Sequence, residues 1–139
     1  VGGEVFGLGA SLKGIAVVLA IITAACAPVA GASEVVTIRI EHSRFQPSQL
    51  ELSERATVRF IVRNTDPIAH EFIIGGAHVQ EVHEKGTEKH HGARPGEITV
   101  PALTARSTSY TFEDAGALIF GCHLPGHYDY GMRGDIVID

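Results

Sequence analysis

"VRFIVRNTDPIAHEF", residues 58–72, contains an alternation, a break and a restart. Val58, Phe60 and Val62 alternate with Arg59 and Arg63, the period of two that marks a half-buried strand. Ile61 interrupts the pattern without ending it. Asn64-Thr65-Asp66-Pro67 then supplies turn residues, and the apolar run Phe72-Ile73-Ile74 resumes beyond them, opened by His70 and Glu71. The stretch therefore predicts two strands joined by a tight connection, with a histidine at the start of the second.

The same period extends outward in both directions. Val36, Ile38 and Ile40 alternate with Thr37, Arg39 and Glu41; Tyr110 and Phe112 alternate with Ser109 and Thr111; Leu118 and Phe120 share a face with Cys122. Short strands are predicted near 35–41, 49–52, 56–63, 70–74, 97–101, 106–112, 117–122 and 133–138. Gln46-Pro47-Ser48, Arg94-Pro95-Gly96 and Asp114-Ala115-Gly116 read as turns between them. The fold class is all-β, a Greek-key β-sandwich of about eight strands. Residues 33–139 suffice for one such core and leave no room for a second domain. Residues 75–96, "GGAHVQEVHEKGTEKHHGARPG", form a polar, glycine-bounded insert. Within it Val79 and Val82, three apart, allow a short helical turn.

Composition narrows the function. Hydrophobic residues make up 45% of the chain and charged residues 19%, as in a globular protein. A net charge of −5 argues against a nucleic-acid partner, which needs a basic face. Residues 1–32 differ from the rest. From Gly14 to Ala32, "GIAVVLAIITAACAPVAGA", there is no charge, and Lys13 precedes it. An apolar helix of this layout predicts export. Three readings fit: cleavage after Ala30-Gly31-Ala32, lipidation at Cys26 after Ala24-Ala25, or retention as a membrane anchor. Each places residues 33–139 outside the cytoplasm, in the periplasm or on the outer face of the cytoplasmic membrane. A helix buried in the folded domain is the structural alternative.

Cys122 would then be the one cysteine of an exported domain, which calls for an explanation. It opens "CHLPGHYDYGM", residues 122–132, which also holds His127 and the chain's single methionine, Met132. Four residues separate each from the next. A thiolate and two imidazoles in a near-trigonal plane, with a weak axial thioether, are the ligands of a type 1 (blue) copper site. Cys122, His127 and Met132 supply three of the four. His70, at the start of its strand, is the best-placed fourth. Zinc also accepts Cys and His, but the thioether has no clear purpose for it. His123 follows Cys122 directly, so in an extended chain it points to the opposite face.

These residues carry a resemblance. Residues 45–139 resemble a cupredoxin, through "FQPSQLEL", "VRFIVRNTDPIAHEF", "GALIFGCHLPGHYDYGM" and "GDIVI" in that order. The ligand-loop spacing is similar to that of rusticyanin-like and auracyanin-like members, and the wider pattern to small exported bacterial plastocyanin/azurin-like proteins. The resemblance implies one type 1 copper per chain, held by His70, Cys122, His127 and Met132. It implies a near-surface His127 as the route for electrons, with Leu124, Pro125, Tyr128 and Tyr130 as a docking patch for a redox partner; the alternative is that the tyrosines only pack the loop. Glu71 stands where many members have Asn or Ser, so Glu71 and His123 are expected to alter the hydrogen bonding around the site.

The predicted function is a one-electron carrier and not an enzyme: there is no His-x-His pair for an oxidase cluster and only one cysteine in the loop. The alternative is copper handling for resistance, buffering or delivery, with a copper-trafficking partner. In that reading His78, His83, His90 and His91 of the insert hold an accessory metal; otherwise the insert is a solvated loop. Membrane association would run through residues 1–32 alone.

Overall fold

A computed structural model describes residues 1–3, 34–86 and 94–139. The export or anchor segment, with Cys26, lies outside the described residues, as do His90 and His91. Among the described residues no helix is long and apolar enough to cross a membrane.

The elements run β1 (Glu34–Ile40), β2 (Phe45–Gln46), β3 (Gln49–Leu52), β4 (Thr57–Asn64), β5 (His70–Gly75), α1 (Ala77–Glu84), β6 (Glu97–Val100), β7 (Ala105–Thr111), β8 (Gly116–Gly121) and β9 (Arg133–Ile138). They form two sheets, ordered β2-β1-β4-β7 and β3-β9-β8-β5-β6. In the first sheet β1 runs parallel to β4, with Ile38 opposite Val62. In the second, β3 runs parallel to β9.

Alternation explains the packing. Ile38 and Ile40 of β1 and Val58, Phe60 and Val62 of β4 turn inward and are fully buried, while Arg59 and Arg63 point to solvent. Ile61, out of phase, lies on the outer face and is only half-buried. Leu52, Phe72, Ile98, Val100, Phe120 and Ile136 come from the facing sheet. A chain of rings crosses the core: Phe60 to Phe72 at 5.4 Å, Phe72 to Phe120 at 5.4 Å and Phe120 to Phe45 at 5.3 Å. Tilted and edge-on ring pairs at such separations add to what area burial alone provides.

The insert departs from expectation. Two turns of helix, α1, stand where a single turn was predicted. The helix lies over the outer face of β5, so every residue of that strand is buried. Gly75 permits this approach: a Cβ there would sit 2.5 Å from Val79 Cβ. Strand β2 is also additional, because two residues are too short to show a period.

Candidate metal centre

The connection between β4 and β5 is built by side chains. Asn64 is buried; its amide nitrogen donates to Ile68 O at 2.7 Å and Pro101 O at 3.1 Å, and its oxygen accepts the Asp66 amide at 2.9 Å. Thr65 Oγ1 donates to Ile40 O at 2.7 Å. An Asx-type turn of this kind fixes where the following strand begins. His70 therefore opens β5 at one end of the sandwich.

Cys122 follows the last residue of β8 at the same end. Its amide donates to Met132 O at 3.1 Å, so the first and last residues of the loop are tied together. Inside the loop His127 N donates to Leu124 O and Met132 N to His127 O, each at 2.9 Å. The two four-residue spacers thus become two successive tight turns. Gly126 and Gly131 supply the positive φ values, 78° and 96°, that these turns need.

The result is convergence. His127 Nδ1 lies 3.3 Å from Cys122 Sγ and 3.3 Å from His70 Nδ1. Ligand atoms of His70, Cys122 and His127 all fall within 4.8 Å of one another, the only such His, Cys, Asp and Glu cluster among the described residues. His70 and Cys122 are fully buried and His127 is half-buried. Burial pushes the Cys122 thiol up from 9.0 to about 11, against amide hydrogen bonds from Glu71 and Leu124 that favour the thiolate. Burial likewise lowers His70, against the raising effect of Asp66, so its ring favours the neutral, ligating form. A soft sulfur and two imidazole nitrogens in one buried cluster fit copper. Met132 is fully buried in the core beside the loop.

A sequence profile of the cupredoxin-like domain matches residues 14–99. The chain belongs to the cupredoxin-like family. The matched residues include His70 and stop before Cys122, so the ligand loop of this cupredoxin is described by its geometry alone. The chain is 34% identical over 110 residues to the copper-resistant cuproprotein CopI of Rubrivivax gelatinosus, covering 73% of this chain and 66% of that protein. It thus spans just under two thirds of that relative. Among solved structures the fold is shared with auracyanin B, at a TM-score of 0.66 and 19% identity over 80% of this chain and 93% of that one. It is shared too with auracyanin A, a "blue" copper protein of Chloroflexus aurantiacus, at 0.62 and 21% over 78% and 100%.

The residues around the cluster divide by role. Glu71 links the two halves of the site: its amide donates to Cys122 Sγ at 3.3 Å, and its carboxylate accepts the His123 amide at 3.3 Å. The His123 ring turns away toward α1, with Nε2 2.7 Å from Gln80 Oε1 and Nδ1 2.8 Å from Glu84 Oε2. It stacks on Tyr128 at 4.7 Å between centroids. Tyr128 also lies against Gly121, where a Cβ would meet its ring at 2.8 Å. Tyr128 therefore packs inward, and Leu124 leans on the core. Pro125 and Tyr130 remain exposed, Tyr130 beneath the Arg44 guanidinium at 4.0 Å. In the insert His78 is exposed, whereas His83 is buried with Nδ1 2.7 Å from Val79 O. The described residues do not gather these two into a ligand cluster.

Three partners escaped the sequence reading. Gln80 and Glu84 hold His123, and Asp66 holds His70 Nε2 at 2.9 Å. Asp66 stood in plain view next to Pro67, but as a turn residue.

Proposed function

We propose that this cupredoxin carries single electrons outside the cytoplasm, on one copper that His70, Cys122 and His127 would hold with Met132 as the thioether donor. The observation that supports this most directly is the convergence of Cys122 Sγ and the Nδ1 atoms of His70 and His127. When bound, copper supplies one-electron chemistry. The chain does the rest. Two amides aim at Sγ and the loop is closed on itself, so little has to rearrange when charge changes. Half-buried His127 is the route toward a redox partner, and the exposed Pro125 and Tyr130 flank it. The reading is of a carrier, not an enzyme, on a chain exported by way of residues 1–32.

The test is a titration of metal-free protein with copper(II), followed by visible spectroscopy. An intense blue band saturating at one copper per chain, absent in Cys122→Ser, is the expected outcome. Copper bound without that band, in a nitrogen and oxygen environment, would sink the carrier reading. A second reading, copper handling for resistance, is favoured by the similarity to the copper-resistant cuproprotein CopI. Net transfer of copper to a competing protein, at a rate faster than electron exchange, would favour it.

A further inference from the structure

Asp66 makes more contacts than a turn residue requires. The residue as a whole is only 7% exposed. Oδ1 accepts the His42 amide at 2.7 Å; Oδ2 accepts the Ser43 amide at 2.8 Å and lies 2.9 Å from His70 Nε2. His42 and Ser43 both have left-handed backbones, with φ of 51° and 53°, in the turn between β1 and β2. That uncommon conformation points two consecutive amides at one carboxylate. The backbone of Asp66 is fixed as well: its amide donates to Asn64 Oδ1, and its carbonyl accepts the Leu103 amide at 3.1 Å. Three separate connections of the sandwich thus meet on this residue.

The chemistry follows from the donor count. Two of the three groups facing the carboxylate are amide N–H donors, which need acceptor oxygens. An ionised carboxylate satisfies both and leaves Oδ2 able to accept from His70 Nε2–H. With its proton on Nε2, the His70 ring presents a bare Nδ1 lone pair toward Cys122 and His127. We propose that Asp66 is the positioning residue of the metal centre: it fixes the ligating tautomer of His70 and, as a buried negative charge behind a copper ligand, lowers the reduction potential of the site. The second half rests on the type 1 reading above; the first does not. A fixed anion stabilises copper(II) more than copper(I), and a carboxylate makes the imidazole a stronger donor. The ring also enters the site already oriented, so none of its freedom has to be lost on metal binding.

The test has two arms. Long-range proton–nitrogen NMR on the metal-free wild-type protein reads the tautomer directly. His70 is expected as the single Nε2–H form; an Nδ1–H form or a mixture overturns the tautomer assignment, and no substitution is required. Asp66→Asn, which keeps the shape and an acceptor oxygen, is then loaded with copper and examined by voltammetry. An upward shift in reduction potential with the visible band retained is expected. An unchanged or lowered potential overturns the electrostatic half. A wild-type protein that shows the Nε2–H tautomer but no blue band removes the type 1 reading, and the electrostatic half with it, while leaving the tautomer assignment intact.

Discussion

Cys122 carries two opposing demands. The thiol is fully buried, which favours its neutral form, yet two amides point at its sulfur. A bound cation reverses the balance, since a coordinating thiol is deprotonated outright. Near neutral pH the thiol is protonated and His70 is neutral, so copper uptake should release at least one proton per metal, the one from Cys122. A pH-indicator dye in weakly buffered solution measures this directly. The same residues set the pH dependence of metal-free stability. Cys122 rises on folding from 9.0 to about 11, so its contribution is full below 9.0 and fades as pH climbs through that interval. His70 is lowered from 6.5 by burial, and Asp66 is lowered from 3.8 because its amide and histidine partners outweigh burial. For both, the unfolded chain takes up protons first as pH falls. Stability should be flat between 6.5 and 9.0, decline above 9.0 as the Cys122 contribution fades, decline below 6.5, and decline further below 3.8. Urea midpoints across the pH range check the three limbs. At this scale His70, Cys122 and His127 were legible because their chemistry is rare and their spacing regular. Asp66 was not, because its partners approach from another connection, 23 and 24 residues away in sequence.

Helix α1 shows why one element was under-read. Its buried residues are Gln80 and His83, both polar, so hydrophobic periodicity cannot mark the inner face. Gln80 acts instead through its amide, which donates to Ile119 O at 3.0 Å and Ile73 O at 3.2 Å across two neighbouring strands. That amide takes the place of apolar packing, at a site where an unmet buried polar group would be costly. The strands, by contrast, followed directly from alternation; their predicted limits lie within about a residue of those observed. The close approach of helix and strand gives a sharp expectation. Gly75→Ala brings a methyl to 2.5 Å from Val79 Cβ and should cost about 1–3 kcal/mol, the usual penalty for overpacking. Equilibrium unfolding in urea gives the value. A Gly75→Ala, Val79→Ala double variant should recover only part of it, since the Cγ1 and Cγ2 contacts at 2.6 and 2.8 Å are removed while the Cβ contact stays.

At the scale of the molecule, one end of the sandwich gathers the proposed ligands from two connections, β4 to β5 and β8 to β9. A metal held by both crosslinks strands that are distant in sequence and binds the folded state alone. Copper should therefore raise the thermal midpoint, by an amount that grows with free copper over its dissociation constant and vanishes on chelation. Differential scanning calorimetry with and without chelator measures it. Cys122→Ser should lose most of the gain.

The pairing of Cys122 with Met132 has a further implication for the order in which the molecule is assembled. Three of the four proposed ligands lie in the connection between β8 and β9, and β9, which follows them, inserts between β3 and β8. Pairings between such remote segments form late, because the long intervening chain must first be closed. A chain in which β9 is still unpaired therefore has His70 but not the closed Cys122–Met132 loop. On the type 1 reading, colour would develop only once β9 has docked between β3 and β8, which makes the absorption band a timer for that docking as well as a signature of the metal.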